Sequence, residues 1–205
     1  TALGTAAVSA GQEAVALTKS YASGANSFAA AIANNTSSYG ATGTSSVAMG
    51  YRAKAAANCG LALGYNALAN GNGSVAISTS AWSGQGAAAE AQGSIVIGNQ
   101  VFSGAVGYYS INIGTDIVNT QRDAINLGKE IKNDTKGKFV WGNGQFSASG
   151  DSQSGDYILR SDTTDATPET LTTNNSTVNV DNQVILPNNS AYAFHGTIVA
   201  RQQAS

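Results

Sequence analysis

Charge is scarce in this chain. Only 11% of the 205 residues are charged, and the formal net charge is −2. A nucleic-acid footprint is a basic stripe, so that partner class is excluded. The chain has one cysteine and one histidine. A lone thiol, Cys59, forms no internal disulfide, and with no base beside it gives no nucleophile signal. Its expected place is a small buried site. His195 sits within an apolar run, with no Cys, Asp or second His at ligand spacing. It therefore predicts neither a metal centre nor a Ser-His-Asp set. No run of 18 apolar residues occurs, so no membrane-spanning helix and no membrane insertion are expected. Bulky apolar residues are also few, because the hydrophobic 42% is heavily alanine. Such a composition fills a thin interior better than a wide globular core. Its apolar residues are nevertheless patterned, which separates it from disordered chains.

What is present is a repeat. A five-residue phrase alternates small and bulky apolar residues: Ser46-Val47-Ala48-Met49-Gly50, then Gly60-Leu61-Ala62-Leu63-Gly64 and Ser74-Val75-Ala76-Ile77-Ser78. It returns as Ser94-Ile95-Val96-Ile97-Gly98, Ser110-Ile111-Asn112-Ile113-Gly114 and Ala124-Ile125-Asn126-Leu127-Gly128. Weaker copies start at Ala14, Ser27 and Lys138. The six strong copies begin at 46, 60, 74, 94, 110 and 124, so the unit is 14 residues with insertions of six and two. A period of two within each phrase is a strand. A second short phrase follows seven residues later, as Ala53-Lys54-Ala55, Ala67-Leu68-Ala69 and Ala81-Trp82-Ser83, with Gly and Asn in the turns. Each unit then reads strand, turn, strand, turn, which is one coil of a β-solenoid.

Alternation sets the faces. A coil this short encloses little space, so the Ala48, Ala62 and Ala76 column is expected inside, facing Ala53 and Ala67. The bulky columns then point outward: Val47 and Met49, Leu61 and Leu63, Val75 and Ile77, Ile95 and Ile97, Ile111 and Ile113, Ile125 and Leu127. An outward apolar ribbon marks an interface, and closed symmetry between copies buries it most simply. With the faces reversed, a monomer would stand alone. Asn112 and Asn126 replace the small middle residue late in the array; they fit either an interior amide ladder or a roll loosening toward a stalk.

The Ser-Val-Ala-Met-Gly and Ser-Val-Ala-Ile phrases at 14-residue spacing resemble the YadA-like head repeats of trimeric autotransporter adhesins, over about residues 14 to 142. That resemblance implies a left-handed parallel β-roll, three rolls to a homotrimer, and surface binding. The insertions at 32–45 and 79–93 depart from it.

The pattern changes at Gly142. Residues 143–156 are rich in Gly and Ser and read as a linker between a 1–142 β-roll domain and a 157–205 antiparallel β domain. The strand-like runs there are Tyr157–Arg160, Thr177–Val180, Gln183–Leu186 and Tyr192–Arg201, with a turn at Pro187-Asn188-Asn189-Ser190. Tyr157-Ile158-Leu159-Arg160, Thr163–Pro168 and Gln183–Gln203 resemble a segment of tailed-bacteriophage fibre and related virion proteins. This implies an external virion fibre, with other virion proteins and a host-surface glycan or protein as partners.

The function expected is thus a structural or adhesive fibre, all-β, with no cofactor and no enzymatic activity. The alternatives are a bacterial adhesin head and a polysaccharide-cleaving tailspike. For the last, Asp116, Asp123, Glu130 and Asp134 form the densest acidic stretch, and a pair of carboxylates is what glycoside cleavage uses. Solvated turns are the simpler reading, since acid-base work needs burial or a close partner. An ice-binding ladder would need repeated Thr-x-Thr, and only Thr42-Gly43-Thr44 offers one. Candidate receptor contacts are Trp82 in the longer insertion and Tyr108 and Tyr109 in the two-residue one, because loops on rigid scaffolds carry binding.

Overall fold

Every second side chain of a strand faces the same way, so the small residues of each phrase share one side and the bulky residues the other. In the computed structural model, which describes residues 1–30, 38–80, 86–186 and 191–200, this alternation wraps the chain into a parallel β-solenoid. It has about nine coils of about 14 residues. All regular secondary structure among the described residues is strand.

The first strands of the coils stack in register. Ala2–Leu3 pairs with Val15–Leu17, which is followed by Phe28–Ala30, Val47–Met49, Leu61–Gly64 and Val75–Ser78. The second strands form their own ladder through Gly40–Ala41, Lys54–Ala55, Leu68–Ala69 and Ala88–Ala89. In the next two coils both strands merge into nine-residue strands, Ile95–Ser103 and Ile111–Asn119. Ile125–Lys129 and Phe139–Asn143 complete the stack.

The interior is filled by small residues. Ala16, Ala29, Ala48, Ala62 and Ala76 are fully buried, opposite equally buried Ala22, Ala41, Ala55, Ala69 and Ala89. The roll then takes larger contents: Val96, Val101, Ile117, Ile131 and Val140 join the core. Asn112, Asn119, Asn126 and Asn133 are buried there too. Asn126 Nδ2 donates to Asn112 Oδ1 at 2.7 Å, and Asn133 Nδ2 to Asn126 Oδ1 at 2.9 Å. The late asparagines are therefore an interior amide ladder, and the roll does not loosen at them.

The corners share one backbone device. Glu13, Asn26, Ser45, Cys59, Tyr109 and Asp123 all have φ between 54° and 57° at equivalent positions before a first strand. A left-handed residue that is not glycine costs about 1–2 kcal/mol. Here it turns each N–H toward the previous coil: Cys59 donates to Thr44 O at 2.9 Å, and Asp123 to Tyr108 O at 2.9 Å. The corners thus form a further hydrogen-bonded column that offsets the strain. Cys59 is exposed, not buried as expected. A corner residue has its side chain turned away from the core whatever its polarity.

Insertions stay at corners. Leu68–Ala69 pairs with Ala88–Ala89, which supplies the second strand of that coil. Ala81, Trp82 and Ser83, expected at that strand, lie outside the described residues. The two-residue insertion falls at the opposite corner, after Ile95–Ser103.

The region read as a linker is ordered. Gln153–Asp156 pairs antiparallel with Phe139–Asn143 and covers the last open edge of the first ladder. A bare parallel edge would recruit another strand. Beyond it, the antiparallel domain expected over 157–205 does not form among the described residues, where only an isolated bridge joins Arg160 to Thr172. The strand-like runs had β propensity but no second layer to cover them: Ile158, Val180 and Leu186 are 79%, 66% and 54% exposed. Pro187-Asn188-Asn189-Ser190 lies outside the described residues. Asn and Thr side chains instead fold residues 172–182 into a compact loop around Asn182, which is 1% exposed.

Candidate functional site

The small residues occupy the interior, so each first strand must present its bulky residues outward. Val47, Leu61, Leu63, Val75, Ile77, Ile95, Ile97 and Ile111 are half-buried on the outer face. Met49, Ile113, Ile125 and Leu127 are 37–42% exposed. Register makes them two continuous columns: Val75 opposes Leu61 and Ile95, while Ile77 opposes Leu63 and Ile97. Neighbours along the column cover the flanks of each side chain and leave its tip to solvent. At about 4.8 Å per rung, the ribbon from Val15 to Phe139 runs about 40 Å. It ends on Phe139 and Trp141, whose ring centroids are 5.2 Å apart. It carries no charged side chain, and such a surface is characteristic of an interface.

Tyr108 and Tyr109 are exposed at the corner of the two-residue insertion. Tyr109 Oη accepts a hydrogen bond from Gln92 Nε2 at 3.3 Å, and the Arg122 guanidinium lies 5.8 Å from the Tyr108 ring centroid. Trp82 lies outside the described residues. The acidic residues do not converge. Asp116 and Glu130 stand at the corner between strands of their coils, and Asp123 stands at the opposite corner, paired with Arg122 at 3.2 Å. Glu130 pairs with Lys129 at 3.1 Å. Asp134 is exposed. His195 is exposed and belongs to no strand. Among the described residues no group of three or more His, Cys, Asp and Glu could hold a metal ion.

Sequence reasoning missed two features. One is a carboxylate-centred loop: Asp151 accepts N–H bonds from Phe146, Ser147 and Ala148 at 2.7–2.8 Å. The Ser147, Ala148 and Phe146 bonds hold its carboxyl down at about 2. The Gly/Ser-rich run around Asp151 carries no signal of it. The other is an open cleft of about 350 Å³ between the late corners and the 172–182 loop, lined by Val106, Tyr108, Gln121, Lys136, Asn179 and Asp181 among others. No local pattern announces it, because its two walls, ending at Lys136 and beginning at Asn174, are far apart in the chain.

Fold and surface define a parallel β-roll with a filled interior and an unpartnered apolar flank. Residues 41–58 and 60–77 each match the model of the YadA head domain repeat. The chain thus carries YadA-like β-roll repeats. No curated protein matches it.

Proposed function

We propose that this chain is a non-enzymatic attachment protein, three copies of which pack their apolar ribbons about a shared axis into a rigid head. The observation that carries this reading is the outward ribbon from Val15 to Trp141, beside an interior already filled by alanine. No surface of the same coil is left to cover it, and closed symmetry is the simplest way to bury it. Exposed corners such as Tyr108 and Tyr109 then face a host surface. We assign the head to an external virion fibre on the likeness of Tyr157–Arg160 and Gln183–Gln203 to phage fibre segments. A second reading, a bacterial adhesin head, is favoured by the repeat matches at 41–58 and 60–77. Light scattering tests the assembly: the expected mass is about 62 kDa, three times the 20.6 kDa chain. A clean monomer overturns it. Antibodies against the chain distinguish the two readings by labelling virions or bacterial cell surfaces. Incubation with host polysaccharide is expected to leave its viscosity unchanged; a fall would restore the tailspike alternative.

A further inference from the structure

The cleft beside the 172–182 loop shares no residue with the apolar ribbon. We propose that it binds a neutral saccharide of one or two rings. Its wall is fixed before any ligand arrives. The Lys136 N–H donates to Asp181 O at 2.7 Å, and Gln121 Nε2 to Asp181 Oδ1 at 3.3 Å, which docks the loop on the roll. Buried Asn182 stiffens the loop from within, donating to Asn174 Oδ1 at 2.9 Å and Thr177 O at 3.0 Å and accepting the Asn179 N–H at 2.9 Å. The volume of about 350 Å³ is near the lower end for small-ligand sites.

The chemistry of the lining selects the class. Among the described residues, no hydrogen bond engages Tyr108 Oη, Gln121 Oε1, Lys136 Nζ, Asn179 Nδ2 or Asp181 Oδ2. This set mixes donors and acceptors. A hydroxyl is both at once, and a sugar presents several hydroxyls. An anion would want donors alone and a cation acceptors alone. Charge is also balanced: Arg122 pairs with Asp123, and Lys136 stands with Asp181. Tyr108, 37% exposed and held beside Arg122, supplies a flat apolar face for the C–H side of a ring.

The saccharide site rests on the attachment reading only for its biological use. The test is saturation-transfer NMR on the full chain with glucose, galactose, mannose, N-acetylglucosamine and lactose, and with sialic acid and galactose 6-sulfate as charged probes. At least one neutral sugar is expected to receive transfer. Its affinity is expected to fall about tenfold in Tyr108→Ala and in Lys136→Met, with melting curves that superimpose on wild type. Transfer to no neutral sugar overturns the proposal. So does transfer that both variants leave intact, or preference for sialic acid or the sulfated sugar. A chain that binds sugar through Tyr108 yet attaches to no surface supports this site and refutes the attachment reading. Attachment with no sugar signal does the reverse.

Discussion

Gly114 stands where the next coil passes closest. Its φ is +147°, and a Cβ there would overlap the carbonyl oxygen of Gly128. Gly98 and Gly128 meet their own successors in the same way. Gly114→Ala is expected to destabilise the roll by about 3 kcal/mol, read by denaturant unfolding. Gly73 is the control: φ is +64° but nothing lies within 4 Å of the added Cβ, so Gly73→Ala should cost only about 1 kcal/mol. Asn126 makes a different point. It donates to Asn112 and accepts from Asn133, all fully buried. Asn126→Ala orphans a carbonyl on one side and an amide on the other, and should cost about 2–4 kcal/mol by the same assay. The glycine and alanine columns were legible in the sequence because close packing leaves each position few alternatives. The exposure of Cys59 was not, because it depends on a corner dihedral shared by side chains as different as Glu13, Ser45 and Tyr109.

At the level of strands and loops, the 14-residue period marked the first strands well, since a small-bulky alternation fits only one pleat. Placing the second strands was harder. Ala81-Trp82-Ser83 and Ala87-Ala88-Ala89 carry similar small-residue signals, and register with Leu68–Ala69 falls to Ala88–Ala89. The 143–156 segment was misread for another reason: a Gly/Ser run gives no sign of the carboxylate that organises it. Asp151 has a folded-state pKa of about 2 against an ordinary 3.8, held down by the N–H groups of Ser147, Ala148 and Phe146. Its contribution is therefore complete above the ordinary value and is lost as pH falls toward 2. The backbone amide resonances of Phe146, Ser147 and Ala148 should shift together over that window. In Asp151→Asn they should show no such titration. The runs after Asp156 were misassigned because alternation predicts a strand only when something covers its apolar side, and Val180 and Ile158 have nothing over them.

For the whole molecule, the outward ribbon separates assembly from folding. Ile113 is 39% exposed and lies outside the alanine core. On the proposed three-chain assembly, Ile113→Glu should leave the far-UV circular dichroism unchanged while the scattering mass falls from three chains to one. Loss of the β signal together with the mass would mean that the ribbon serves the coil itself. One consequence of the parallel stack is mechanical. Its backbone hydrogen bonds lie along the long axis, so a pull between the two ends strains the interval between neighbouring rungs and finds no covalent shortcut past it. Such a roll yields by peeling from an end, and each coil set free lengthens the tether by about 45 Å. A roll of this design would give under load in steps, shedding tension coil by coil.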